Sequence, residues 1–186
     1  MRRDQKRCLG ILFCLSGIGL TVLILCIFFV FPPALTVRIT NASLTQFKLS
    51  EESLNYNLAL DLAIKDTNKV FPIHYNSIEL VAKYGKEGFA FMSSLPHFKQ
   101  RYKNTTILHT ILQGQQLVRF SERELSRFNL ETVAGVYGID VVATMQIKKS
   151  VSARVYKREW ICRLMLPLSS DQAFSSFKAI KCINSI

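Results

Sequence analysis

Apolar and polar residues alternate one by one in separate stretches along this chain, and a period of two is that of a β-strand with one face on a core. Leu58, Leu60, Leu62 and Ile64 alternate with Asn57, Ala59, Asp61 and Lys65. The same pattern recurs in Leu35-Val37-Ile39, Ile78-Leu80-Ala82-Tyr84, Ile139-Val141-Ala143-Met145-Ile147 and Trp160-Cys162-Leu164-Leu166. Gly85 and Gly88 bracket one turn, Gln113-Gly114 make another, and Pro72, Pro96 and Pro167 fall where runs start or stop. Short alternating strands separated by turns predict an all-β, antiparallel sandwich. One segment departs from the pattern. Ser121-Glu122-Arg123-Glu124 has the form of a capping box with Phe120 and Leu125 at the staple positions, which predicts one short helix ending near Phe128.

No charged side chain occurs from residue 8 to residue 31. A helix of that length measures about 36 Å at about 1.5 Å per residue, more than the roughly 30 Å of a hydrocarbon core. A cleaved signal peptide is the competing reading, but its apolar region is about 7–15 residues long, and this run is longer and leads into Pro32-Pro33. The expectation is therefore a transmembrane helix over 8–31. Arg2, Arg3, Lys6 and Arg7, opposed only by Asp4, set the topology. They place 1–7 as a cytosolic tail and 32–186 as an exterior domain of a single-pass plasma-membrane protein. Cys8, beside Arg7 at the inner face, is either a palmitoylation candidate or an unmodified thiol.

The 24 Lys+Arg against 13 Asp+Glu leave a formal charge of +11. With the domain outside and no interleaved basic and aromatic motif, a nucleic-acid partner is excluded. The charge then reads as a solubilising surface, or as a contact for anionic lipid headgroups or acidic polysaccharide. Cys162 and Cys182 on an oxidising side can pair, and the short loop closed would be worth about 3 kcal/mol. Two buried free thiols are the alternative. Asn41-Ala42-Ser43 and Asn104-Thr105-Thr106 satisfy the glycosylation acceptor rule. Asn104 ranks first, because Asn41 lies close to the expected membrane exit. His74, His97 and His109 have no metal-ligand spacing, and the chain contains no GxSxG, phosphate loop or CxxC. No catalytic group, metal or cofactor is assigned.

The stretch Asp66-Thr67-Asn68-Lys69-Val70-Phe71-Pro72-Ile73-His74-Tyr75-Asn76 is similar to an Asn-Pro-Asn-Lys-Arg-Ile-Gly-Ile-Tyr-Tyr-Asp signature. It keeps Asn68, Lys69, Ile73 and Tyr75. Leu95-Pro96-His97-Phe98-Lys99-Gln100 and Lys103-Asn104-Thr105-Thr106 resemble a Pro-Phe-Tyr-Gln and Asn-Thr-Thr block. Gly135-Val136-Tyr137-Gly138-Ile139-Asp140-Val141 looks like the strand that precedes that family's basic residues, here Lys148 and Lys149. Together these segments resemble the plant harpin-induced and non-race-specific disease resistance-like membrane proteins, which carry a late embryogenesis abundant group two domain. Cys162 and Cys182 match that family's closing cysteine pair. The resemblance implies a fibronectin-like β-sandwich held at the membrane exterior and a part in defence or stress responses. Asn68-Lys69 between two apolar runs also reads as a plain turn. The expected function is a non-enzymatic interaction protein anchored in the lipid bilayer, presenting its sandwich to a membrane or cell-wall partner protein. A lipid-handling module with an acyl chain between the sheets, and a dehydration protectant, are the alternatives.

Overall fold

The computed structural model describes residues 2–30, 35–67, 71–93, 97–169 and 177–185, with the backbone alone described at 2–9, 11–12 and 27–30. It divides into two units, Met1–Pro32 and Pro33–Ile186.

The first unit is helix α1 (Arg2–Val30). Within it the Ser16 hydroxyl donates to Phe13 O at 2.9 Å and the Thr21 hydroxyl to Gly17 O at 2.6 Å. Among the described residues no helix is long and apolar enough to cross a membrane. This corrects the expected span over 8–31 and the single-pass plasma-membrane topology built on it. The side chains of Arg2, Arg3, Lys6, Arg7 and Cys8 lie outside the described residues. Cys14 and Cys26 are free thiols.

The second unit is the expected antiparallel sandwich. One sheet contains β1 (Leu35–Ser50), β2 (Ser53–Asp66), β6 (Thr105–Leu117) and β9 (Ile180–Lys181), in the order β6-β2-β1-β9. The other contains β3 (Ile73–Tyr84), β4 (Glu87–Met92), β7 (Val136–Lys149), β8 (Val155–Pro167) and β10 (Ile183–Asn184), in the order β10-β8-β7-β3-β4. β5 (Phe98–Gln100) pairs with the start of β3. The alternating apolar residues point between the sheets, where Leu44, Leu58, Leu62, Leu80, Val141 and Leu164 are sealed from solvent. The chain crosses from one sheet to the other between β9 and β10, and Cys182 at that crossing is disulfide-bonded to Cys162 of β8. Its amide donates to Val37 O at 3.0 Å, tying the crossing to β1 as well.

Helix α2 (Glu122–Ala134) closes one end of the sandwich and runs further than the sequence suggests. Ser121 caps it, the Glu124 side chain answers the cap, and Gly135, at φ 68° in the left-handed region, stops it. Beneath it Phe47 packs against the rings of Tyr84, Phe89, Phe128 and Tyr137 at centroid distances of 4.9–5.7 Å. Glu131 locks the helix down. It accepts from the Tyr84 hydroxyl at 2.9 Å, from Gly138 N at 3.2 Å and from Arg127 Nε at 2.7 Å.

Candidate functional site

The opposite end gathers the end of β2, the start of β3, the end of β5, the turn before β6 and the end of β7. Tyr75 is inward-facing and 1% exposed, and its hydroxyl donates to Gln100 Oε1 at 2.7 Å. Gln100 Nε2 in turn donates to Ile64 O at 2.9 Å and Asn104 O at 2.7 Å. Asn104 O also accepts from Asp66 N at 3.0 Å. One glutamine side chain therefore joins both sheets to the turn that follows β5. The Tyr75 ring stacks on Phe98 at 4.5 Å and 15°. Burial, and then the charge of Asp66, push the Tyr75 phenol well above its ordinary value, so it remains a donor. Burial pushes the Lys149 ammonium down, and Asp66 and Lys149 are both almost wholly inside.

Over this polar plug lies a cationic surface. Register places Lys99 and Lys148 on either side of His74, one from β5 and one from β7. These three stand on the outer face in one row across neighbouring strands. Lys65, Arg101, Lys103 and Arg154 are exposed at the same end, with Arg154 lying over the Tyr156 ring at 5.3 Å. The turn 101–104 is closed by Asn104 N donating to Arg101 O at 3.2 Å, with Lys103 at φ 57°. A surface with this excess of lysine and arginine attracts anions.

Of the residues singled out in the sequence, Ile73 and Tyr75 lie in this pole and Asn104 stands exposed on its turn. Asn104 Oδ1 accepts from Thr105 N at 2.9 Å. Asn41 lies within β1, half-buried and opposite Asp61, a poorer position for a glycan. Asn68 and Lys69 lie outside the described residues. Gln100, the hub of the plug, stood in the Pro-Phe-Tyr-Gln-like block without being picked out; a polar residue at an inward strand position is the signal. His109 is far from the pole, on the outer face of the other sheet, with its Nδ1 2.6 Å from Asp61 Oδ1. Among the described residues no group of His, Cys, Asp and Glu could hold a metal ion.

No family model matches the chain. A crystal structure of a protein from Archaeoglobus fulgidus superposes with a TM-score of 0.41 and 10% identity over 70% of this chain and 98% of that one. NDR1/HIN1-like protein 3 of Arabidopsis thaliana is 31% identical over 170 residues, covering 89% of this chain and 73% of that protein. NDR1/HIN1-like protein 10 of the same plant is 32% identical over 155 residues, covering 80% and 68%. NDR1/HIN1-like protein 2 is 25% identical over 152 residues, covering 79% and 63%. These relatives agree with the resemblance carried by residues 66–76, and on identity and coverage together the chain belongs to the NDR1/HIN1-like family.

Proposed function

We propose that this chain is a non-enzymatic interaction protein of plant defence or stress responses, and that its basic pole binds an acidic partner, an anionic polysaccharide first. The observation that carries the reading is Lys99 and Lys148 standing on either side of His74 in one outward-facing row across neighbouring strands, with Lys65, Arg101, Lys103 and Arg154 exposed at the same end. An extended polyanion lying across the strands would meet both lysines at once. The buried plug beneath holds the strands and the 101–104 turn in fixed positions, so the charges are presented in a set geometry. Family membership supports the defence or stress setting.

The test is binding of the full chain to polygalacturonate and to a neutral glucan of similar length over a salt series. Selective, salt-sensitive binding that falls about tenfold or more in Lys99→Glu with Lys148→Glu is expected. Equal binding of the neutral polymer, or an unaffected double variant, ends the reading. At the same pole Asn104 is the acceptor we propose for a glycan. A glycosidase-sensitive mass shift lost in Asn104→Gln supports that assignment, and a shift that persists refutes it.

A further inference from the structure

The outer face of the β10-β8-β7-β3-β4 sheet carries a row of apolar side chains running straight across every strand. Register aligns Phe91 with Val81, Val81 with Val142, Val142 with Ile161 and Ile161 with Ile183. Directly paired residues of an antiparallel ladder share a face. The packing agrees: a Cβ at Gly88 would stand 2.8 Å from Phe91 Cζ and 3.5 Å from Val81 Cγ1, so the Phe91 ring lies over bare backbone beside Val81. The stripe is open at both ends, where Phe91 is 64% and Ile183 65% exposed.

The rows on either side of the stripe are charged, with opposite sign. Two residues to one side stand Glu79, Thr144 and Glu159; two residues to the other stand Lys83, Asp140 and Arg163. The first row is acidic. The second has two cations around one carboxylate. This arrangement is self-complementary. A two-fold axis laid along the stripe turns a second copy over so that each stripe residue lies over its own equivalent, with Phe91 and Ile183 the exposed contacts and Val142 at the centre only 7% exposed. Glu79 then faces the second copy's Lys83, and Glu159 faces its Arg163. Stacking without that inversion would set glutamate on glutamate. The charges therefore select one arrangement out of two, and they do so for this chain against itself. About ten residues from each of β3, β7 and β8, with six from β4 and two from β10, at about 4.8 by 3.4 Å per residue make a face on the order of 600 Å², the low end of one side of a standard interface.

We infer that this face is a docking surface for a second copy of the chain, the two sheets stacked face to face about a two-fold axis along the Phe91–Ile183 stripe. The pairing leaves the flanking Glu79 and Lys83 rows as its specificity determinants. It does not use Lys99, His74 or Lys148, so it stands or falls apart from the anion reading.

Sedimentation equilibrium of the full chain over a concentration series tests it. Glu79→Lys alone and Lys83→Glu alone should each weaken the dimer about tenfold, and the two together should restore it to within about threefold. Phe91→Ser with Ile183→Ser, at exposed positions that leave the core intact, should also weaken it. A chain that stays monomeric at about 100 µM overturns the inference. So does a dimer indifferent to both charge reversals, since association through α1 or another surface would behave that way. A different protein captured by the stripe, and lost in Phe91→Ser, overturns it as well if the chain alone remains a monomer.

Discussion

At the α2 end the sandwich is closed by rings, with Phe47 meeting Tyr84, Phe89, Phe128 and Tyr137 under the helix. At the basic pole it is closed by directed hydrogen bonds that converge on Gln100. Most of what ring packing contributes is non-directional and follows the apolar area and volume in contact, with a smaller edge-to-face preference added. A buried hydrogen-bond hub behaves differently, because deleting one partner strands the others without water. The end closed by rings can absorb change by degrees. The polar end holds its geometry or loses it, which suits a surface whose charges must sit at fixed positions.

The largest effect expected is at the rings. Phe47→Ala should lower stability by about 3–5 kcal/mol in urea unfolding, and Phe47→Leu by clearly less. If leucine costs as much as alanine, that end depends on exact shape and the contrast fails. Reducing the Cys162–Cys182 bridge, which belongs to neither end, should cost about 3 kcal/mol, read as a lower Tm with reductant. An unchanged Tm would mean that the β9–β10 crossing is held by its other contacts.

Gln100→Ala should cost about 2 kcal/mol, since the Tyr75 hydroxyl and Ile64 O lose a buried partner while Asn104 O keeps the bond from Asp66 N. Tyr75→Phe removes one of those bonds and should cost about 1 kcal/mol. The double variant should cost less than the sum of the two, because the same bond is lost in each. Strict additivity in a double-mutant cycle would break the picture of a hub.

The smallest effect is an acid limb at the α2 end. Hydrogen bonds from Lys86 N, Ser121 N and the Ser121 hydroxyl hold the Glu124 carboxyl down at about 2, against an ordinary 4.5. The folded value lies below the unfolded one, so this contribution is complete above about pH 4.5 and is lost as pH falls towards about 2. Glu124→Gln should flatten the pH dependence of urea stability in that window. An identical acid limb in the variant would assign it to other carboxylates.

Much of this architecture was legible in the residues. The alternations in 57–65, 78–84, 139–147 and 160–166 lie within β2, β3, β7 and β8, and Ser121 with Glu124 marks the start of α2. β6 was not legible as a strand. It is an edge strand in which only Thr110 and Leu112 are buried, so polar residues occupy most of it and the alternation fades. The end of α2 was placed too early because Phe128 is its only buried residue, and the left-handed Gly135 rather than apolar spacing stops the helix. The uncharged run 8–31 invited a membrane span, which no described helix is long and apolar enough to make.

By itself the sequence determined the local and chemical facts: where strands alternate, where a helix is capped, which cysteines and sequons exist, and which family signature is present. Those depend on neighbours along the chain. Only the tertiary structure decided which distant residues share a surface. Gln100 reaches Ile64 and Tyr75 because β5 pairs with β3 while the turn at Asn104 leads into β6. Phe91 and Ile183 fall on one line because four strand registers bring them there. A register slip of one residue would move each of these side chains to the other face, and no stretch of sequence read alone records the register.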